Sequence, residues 1–317
     1  MNARPLLGAV LPLLALGTAP GCKRPPAYTP SVSIEMAVTV DDLPRHGPDV
    51  PGVARADVHR QMLEVLVKHR VPAVYGFVNG SKLVGHPEDR AALEAWMAAG
   101  YPLGNHTYTH ADAAKVPVED FLADVVANES VLAGLMGPGK EQTWKVLRYP
   151  YLHQGQDLAG RAQIRRVLHG RGYRIAEVTI DFEDWAWNAP YARCLARGDE
   201  RGLGILTESY LDAAEAHLRW SDDTARRLFG RQMRHILLLH VGAFDARMAD
   251  GLLTLYEKLG VKWIDLGQAN QDPVYREEPN PPRSVKGPLL FQVLRSREWA
   301  GFPIPVDPED VLGLVCR

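Results

Sequence analysis

The chain alternates between short apolar runs and longer stretches whose apolar residues recur at helical spacing. The apolar runs are rich in β-branched residues and stop at polar or turn-forming residues, which is typical of buried strands. Repeated strand–helix units predict a parallel α/β architecture. The predicted strands span residues 33–40, 73–78, 102–104, 144–147, 173–180, 236–239 and 261–266, and the predicted helices span residues 59–69, 88–99, 118–136, 163–171 and 248–259.

Glycines mark the ends of several predicted helices. Gly100, Gly137, Gly172 and Gly260 each stand where such a helix would stop. Seven units favour a parallel barrel over an open sheet, and no strand is followed by a GxGxxG or P-loop sequence that would cradle a nucleotide. We therefore predict one barrel domain over residues 33–267, without a nucleotide cofactor.

Two segments interrupt the alternation. Residues 186–234 form a long insertion before the sixth strand, with helices predicted at 208–220 and 222–234. Loops at a barrel mouth carry specificity, so we expect this insertion to wall one side of the mouth. Residues 268–317 form a proline-rich extension, which predicts an ordered strap rather than a second domain.

Composition narrows the class of protein. The 317 residues are 46% apolar and 23% charged, enough for one large core. The formal net charge is −2, and no stripe of Lys and Arg is present. Because nucleic-acid binding rests mainly on neutralising phosphates, we predict no nucleic-acid partner.

The first 22 residues are typical of an export signal. Arg4 precedes an apolar run at residues 6–16 that is too short to cross a bilayer comfortably. The following Gly17-Thr-Ala-Pro-Gly21-Cys22 resembles the lipobox of bacterial lipoproteins, although Ala19 stands where that pattern prefers Leu. The sequence predicts an exported protein, tethered to the cell envelope by a lipid on Cys22, with residues 23–32 as a linker. Simple cleavage into the periplasm or medium and a retained anchor are the alternatives.

Lipidation of Cys22 would leave Cys194 and Cys316 as the remaining cysteines. An oxidising compartment permits them to pair. Pairing requires Cα atoms within about 7 Å, so the sequence leaves a disulfide and two free thiols equally open.

Five short polar motifs stand where predicted strands end. Since the carboxyl ends of parallel barrel strands share one mouth, we expect these motifs to converge on one active site. They are Asp41-Asp42, His106-Thr-Tyr-Thr-His110, Arg148-Tyr-Pro-Tyr151, Asp181-Phe-Glu-Asp-Trp185 and Leu237-Leu-Leu-His240.

His106 and His110 are candidate metal ligands, because a helical turn would place both imidazoles on one side. Asp41 or Asp42 would complete a face of two histidines and one carboxylate, leaving positions open for water. A bound divalent ion lowers the pKa of that water from about 15.7 towards roughly 7, which provides a hydroxide nucleophile. Taken singly, His106 and His110 are typical of two histidines that are solvated or hydrogen-bonded in the core. Asp41 and Asp42, taken singly, are typical of an acidic turn before Pro44.

In order, spacing and strand-end placement over residues 33–267, the motifs resemble those of the polysaccharide deacetylase family, also called NodB-homology or carbohydrate esterase family 4 enzymes. The resemblance implies a distorted (β/α)7 barrel. It also implies metal-dependent removal of acetyl groups from N-acetylated or O-acetylated sugars.

Carried over by position, the resemblance implies that Asp41 is the general base on the metal-bound water. Asp42, His106 and His110 would hold the ion, expected to be zinc, with cobalt or nickel as other candidates. Arg148 would pair with Asp41 and keep it ionised.

On the other side of the site, the resemblance implies that Asp184 orients His240 and raises its pKa. His240 would then protonate the leaving amine or alcohol. The backbone N–H of Tyr151 would stabilise the oxyanion, and Trp185 and Leu238 would receive the acetyl methyl group.

Other polar and aromatic residues are less informative. His46 and Trp187 stand close to motif positions and could contact substrate. The remaining candidates for a surface or structural role are His153, His169, His217 and His235.

The sequence therefore predicts an exported deacetylase of an acetylated polysaccharide, with no protein partner. Two alternatives stay open: a hydrolase of a non-carbohydrate linear or cyclic amide on the same barrel, and a catalytically silent glycan-binding lipoprotein. The choice of polymer, and of N- or O-deacetylation, depends on loops that the motifs do not specify.

Overall fold

The computed structural model describes residues 33–281, 286–299, 302–306 and 308–317, apart from the side chains of residues 310 and 311. The predicted signal peptide, Cys22 and the linker lie outside the described residues. Within the described part of the chain, no helix has the length and apolar character needed to cross a membrane.

A curled parallel sheet forms the centre of the molecule. The strands are β1 (Ile34–Leu43), β2 (Tyr75–Val78), β3 (Leu103–Asn105), β4 (Val146–Leu147), β5 (Arg174–Ile175), β6 (His235–His240) and β7 (Val261–Trp263). They run in the order β5-β4-β3-β2-β1-β6, and β7 pairs with the beginning of β1. A parallel bridge between Ile180 and Leu237 joins the segment after β5 to β6 and confirms the predicted distorted (β/α)7 barrel.

Helices cover the outside of the sheet. Strand β1 lies between β2 and β6 and is buried along nearly its whole length, and most of its residues up to Val40 are apolar, as expected for a central parallel strand. The helices are α1 (Arg55–Lys68), α2 (Pro87–Ala98), α3 (Val118–Met136), α4 (Glu141–Trp144), α5 (Leu158–Gly170), α6 (Asn188–Arg197), α7 (Glu200–Phe229), α8 (Ala243–Lys258), α9 (Leu266–Ala269), α10 (Leu289–Ser296) and α11 (Glu309–Leu312).

The predicted strand at 173–180 is only partly right, because Arg174–Ile175 forms β5 and Ile180 makes an isolated bridge to Leu237, with no regular strand between them. Beyond β5 the chain leaves the ladder, and the amide groups of Thr179 and Ile180 both donate to the carbonyl of Ile236. Val178 and Ile180 are nevertheless buried. Their apolar side chains fill the core without regular strand pairing, which explains the misleading pattern.

The insertion contains one 30-residue helix, α7, where two helices were predicted. Ser221 and Asp222, where the two predicted helices would meet, are both buried inside α7. The Ser221 hydroxyl donates to the carbonyl of Thr179, and Asp222 accepts from Arg226 Nε of the same helix. Both polar side chains thus have partners within a continuous helix.

The C-terminal residues pack across α6 and α7. We call residues 286–299, 302–306 and 308–317 the strap. Cys194 of α6 and Cys316 form a disulfide, with Cα atoms 5.1 Å apart. The apolar face of α10 forms a second small core with the end of α7, so the strap is anchored at both ends.

Candidate active site

The two adjacent aspartates both reach the mouth of the barrel because β1 is irregular there. Its pairing with β2 shifts register between Val40 and Leu43, and Asp42 has a φ of +67°. Side chains on a regular strand alternate between its two faces, and this bulge redirects one of them. Asp41 and Asp42 are both buried at the same end of the barrel.

His106 and His110 lie in a loop after β3 rather than on the predicted helical turn. Thr107 and His110 have positive φ, and the side chain of Asn105 accepts a hydrogen bond from the amide of Thr107. This loop brings the two imidazole rings to a centroid distance of 4.9 Å. Both imidazoles therefore lie on one side of the mouth, as predicted, but a loop with positive φ angles places them there and not a helical turn.

Asp42, His106 and His110 form a three-donor cluster whose ligand atoms lie within 4.8 Å of one another. Nε2 of His106 lies 3.8 Å from Asp42 Oδ1, and Nε2 of His110 lies 3.4 Å from the same oxygen. Nδ1 of His106 is 2.8 Å from the carbonyl of Arg148, so Nδ1 carries the proton and the Nε2 lone pair faces Asp42. Burial, then His110, lowers the pKa of His106 well below its usual value and keeps it neutral. This donor set fits a divalent transition metal.

Lys82 is a site residue that the sequence interpretation missed. Its ammonium group donates to Asp42 Oδ1 at 3.0 Å and to the carbonyls of Asp42 and Arg45. Burial raises the pKa of Asp42, but Lys82, His110 and His106 outweigh it and hold that pKa well below its usual range. Lys82 follows β2 in an ordinary turn, and no local motif distinguishes it.

Arg148 orients Asp41 from behind the site. Nη1 of Arg148 lies 3.1 Å and 3.2 Å from the two oxygens of Asp41. Its remaining donors are fixed by the carbonyl of Ala176 and the hydroxyl of Thr39. Burial raises the pKa of Asp41 to about 6, opposed chiefly by Arg148 and then by His240.

Asp184 and His240 form a buried pair on the other side of the mouth. Nδ1 of His240 lies 2.7 Å from Asp184 Oδ1, and the amide of His240 donates to Asp184 Oδ2. Burial lowers the pKa of His240, but Asp184 more than offsets it and raises that pKa to about 10. Nε2 of this protonated ring remains to face the cavity.

A cavity of about 450 Å³ collects most of the predicted site residues. Arg148 and Asp184 do not line it and are fully buried behind Asp41 and His240. The predicted residues that line the cavity are Asp41, Asp42, His106, His110, Tyr151, Trp185, Leu238 and His240.

His46 also lines the cavity, as predicted for a possible substrate contact. Its ring centroid lies 4.7 Å from that of His240, and its Nε2 lies 3.5 Å from Asp42 Oδ2. Asp42, His46 and His240 have donor atoms close enough for a second cation. The protonated state of His240 disfavours ligation there.

Two further residues differ in their relation to the cavity. Trp187, predicted to stand where it could contact substrate, is buried and donates to Ser209 Oγ, away from the cavity. His217 of α7, for which a surface or structural role was predicted, lines the cavity. Asp181 both accepts from the amide of Glu183 and lines the cavity. The His217 position depends on how α7 folds back, which local sequence does not encode.

Comparison with known proteins agrees with this arrangement. The family model for polysaccharide deacetylase matches residues 31–174, which include both aspartates, both candidate histidine ligands and Arg148. Residues 31–174 are therefore similar to the polysaccharide deacetylase family. A curated relative, the peptidoglycan-N-acetylglucosamine deacetylase of Bacillus cereus, is 29% identical over 153 residues, covering 48% of this chain and 46% of the relative. The chain thus spans about half the length of that relative.

Solved structures show the same fold. The chitin deacetylase of Colletotrichum lindemuthianum has a TM-score of 0.52 at 21% identity, covering 75% of this chain and 88% of that chain. A carbohydrate esterase family 4 pseudoenzyme of Bacillus anthracis has a TM-score of 0.50 at 14% identity, covering 76% of this chain and 66% of that chain. These likenesses extend the polysaccharide deacetylase fold across most of the chain.

Proposed function

We propose that this protein is a metal-dependent hydrolase that removes acetyl groups from an acetylated polysaccharide. The observation that carries the proposal is the pairing of two different centres in one cavity. A carboxylate–histidine cluster suited to a cation lies beside a buried His–Asp pair suited to proton donation. Acyl transfer to water needs both an electrophilic centre and a general acid.

Asp42, His106 and His110 would hold the ion, for which zinc is the first candidate and cobalt and nickel are others. When bound, the ion would polarise the acyl carbonyl and lower the pKa of water. The neutral state of His106 and the ionised state of Asp42 suit this role, because metal ligands must be deprotonated.

Asp41 would act as the general base. Its carboxylate lies 3.8 Å from His106 Nε2, next to the proposed ligands, and Arg148 fixes its orientation. A base with a pKa of about 6 is ionised at neutral pH and still basic enough to accept a proton from the attacking water.

His240 would act as the general acid. Its raised pKa of about 10 keeps it protonated at neutral pH, and Asp184 holds the ring in place. As the tetrahedral intermediate collapses, Nε2 would give its proton to the leaving amine or alcohol, which is typically worth about 10²–10⁴ in rate.

The oxyanion and the acyl group would be received between these centres. We propose that the backbone N–H of Tyr151 stabilises the oxyanion. Tyr151 has a φ of +57°, lines the cavity and packs its ring 4.5 Å from that of His110. Trp185 and Leu238 would contact the acetyl methyl group.

We also propose that the protein is exported and lipid-anchored at Cys22, or otherwise periplasmic or secreted. The Cys194–Cys316 disulfide supports an oxidising compartment. The intact mass of the mature protein from a bacterial envelope fraction tests the anchor. A diacylated or triacylated chain starting at Cys22 is expected, and an unmodified chain with another start would contradict it.

Acetate release tests the enzymatic proposal. The protein lacking residues 1–22 would be reconstituted with zinc and given N-acetylglucosamine oligomers, peptidoglycan, acetylated xylan and simple linear and cyclic amides, beside Asp41→Asn. Release from one substrate that disappears in the variant is expected. Release from simple amides but from no sugar would favour the amide hydrolase, and silence with metal bound would favour a silent glycan-binding protein.

A further inference from the structure

The apolar part of the cavity is larger than an acetyl group requires. A methyl group needs only the small contact surface that Trp185 and Leu238 provide. The cavity of about 450 Å³ also carries apolar side chains from the rest of the barrel mouth and the strap. These are Leu152, Pro288, Phe291, Ile304, Pro305 and Pro308.

The strap adjoins the residues proposed to contact the acyl group. Helix α11 packs against the turn Asp184–Trp187, which carries Trp185. At the other end of the strap, the amide of Leu289 donates to the carbonyl of Val178 at 2.7 Å. Val178 in turn forms a buried cluster with Leu152 and Leu238. The apolar wall therefore continues from the proposed methyl site into the strap.

Several contacts hold this wall in place. The disulfide joins Cys316 to α6, and Arg193 of α6 donates to the carbonyl of Val315 at 3.1 Å. The guanidinium group of Arg227 lies 4.1 Å from the centre of the Phe302 ring. Because the strap is tied at separate points, it presents a fixed surface to the cavity rather than a loose tail.

The polar groups beside this wall are already engaged with one another. Lys286 Nζ lies 3.2 Å from Glu183 Oε1, and Asp181 accepts from the amide of Glu183. Recognition of sugar hydroxyls relies on directed polar partners, whereas recognition of an alkyl chain relies on apolar surface. The side of the cavity along the strap suits an alkyl chain.

We propose that the site accepts acyl groups longer than acetyl, with the alkyl chain lying along the strap. This inference rests on the proposed hydrolase function and changes its acyl specificity. Water would add its oxygen to the acyl carbon, the carbon–nitrogen or carbon–oxygen bond would break, and His240 would protonate the leaving group. The products are a fatty acid and a free amine or alcohol.

A chain-length series tests the proposal. Zinc-reconstituted protein would be given glucosamine carrying N-acetyl, N-butanoyl, N-hexanoyl or N-octanoyl groups, together with the matching 4-nitrophenyl esters. We expect kcat/KM to rise from acetyl by roughly fourfold for each methylene that enters the pocket, the equivalent of about 0.8 kcal/mol. The rise ends where the chain outgrows the cavity.

The strap offers a matched pair of variants. Ile304 lines the cavity and is 47% exposed, whereas Val306, two residues further on, does not line it and is 74% exposed. Because both side chains are exposed, neither substitution should lower the stability of the fold much. Ile304→Asp should abolish the preference for longer chains while leaving acetyl hydrolysis within about threefold, and Val306→Asp should leave the whole series unchanged.

Three results would overturn the inference. The first is a kcat/KM that is highest for acetyl and falls with each added carbon. The second is a kcat/KM that rises when alkyl groups are added to the amine side of an acetamide but does not rise when they are added to the acyl side. The third is equal behaviour of Ile304→Asp and Val306→Asp. Absence of Asp41-dependent hydrolysis from every substrate would instead refute the proposed function itself.

Discussion

His106 and His240 are the same side chain at the same mouth of the barrel, yet their surroundings give them opposite protonation states. Nδ1 of His106 donates to a neutral backbone carbonyl, whereas Nδ1 of His240 donates to the carboxylate of Asp184. Burial lowers the pKa of both rings, and Asp184, followed by Asp42 and Asp41, reverses the outcome for His240. The hydrogen-bond partner of Nδ1 therefore decides whether the imidazole is a neutral metal ligand or a proton donor.

This difference divides the cavity into a ligand side and an acid side. On the ligand side, three donors are held deprotonated around one point. On the acid side, a buried carboxylate holds a proton on His240. The two sides make different predictions about metal content, turnover and pH.

The largest effect is expected from the ligand side. Asp42→Asn replaces the anionic donor that both histidines face, so bound zinc should drop to trace levels and turnover to background. Metal content by mass spectrometry after gel filtration, with kcat on the best acyl substrate, checks this. Full metal content in the variant would place the ion elsewhere.

Asp41→Asn sharpens the division within the ligand side. This residue contacts the cluster but is proposed to act as the base, so kcat should fall about 10²–10⁴-fold while bound metal stays within twofold of the wild type. Parallel loss of metal and activity, as in Asp42→Asn, would show that both aspartates are ligands.

The acid side is tested by Asp184→Asn. His240 must be protonated to act, so activity should persist up to its raised pKa of about 10 and fall as pH rises through it. Removing the carboxylate charge lowers the pKa of His240, and the alkaline limb of the kcat profile should move to lower pH with metal content unchanged. An unmoved alkaline limb would assign it to another group.

Much of this division could be predicted from sequence, because polar motifs that follow strands converge wherever parallel strands form a barrel. The aspartates were predicted to follow the end of the first strand, whereas β1 continues to Leu43 and a register shift lies at their position. Lys82 and His217 were missed because neither stands in a motif: tertiary packing brings Lys82 to Asp42 and His217 to the cavity.

The strap shows the same limit of sequence interpretation. Proline-rich composition predicted an ordered segment, but its place against Trp185 and Leu238 depends on the disulfide and on α7. The single α7 helix was predicted as two helices that meet at Ser221 and Asp222. The partner of Ser221 is Thr179, far away in sequence, and the partner of Asp222 is Arg226, one turn further along the continuous helix.

The smallest effect concerns a third histidine, outside the cavity. Burial lowers the pKa of His69, but hydrogen bonds to Asp250 and Glu257 of α8 outweigh it and raise that pKa. The stabilisation of the folded state by protonated His69 is fully present below the pKa of the residue in the unfolded chain, about 6.5. It is lost as pH rises through the pKa of His69 in the folded protein.

His69→Gln should therefore cost about 0.5–1 kcal/mol of unfolding free energy near pH 5.5 and less near pH 9. Urea unfolding of both proteins at the two pH values checks this. Equal costs at both pH values would show that His69 acts through packing and not through charge.

His106 is proposed to be a metal ligand and His240 a proton donor. Zinc content and kcat of His106→Ala and His240→Ala, measured on the same preparations, distinguish these two roles. We predict that His106→Ala loses both zinc and turnover, whereas His240→Ala keeps its zinc and loses about 10²–10⁴ in kcat. Loss of zinc in both variants, or in His240→Ala alone, would contradict the division.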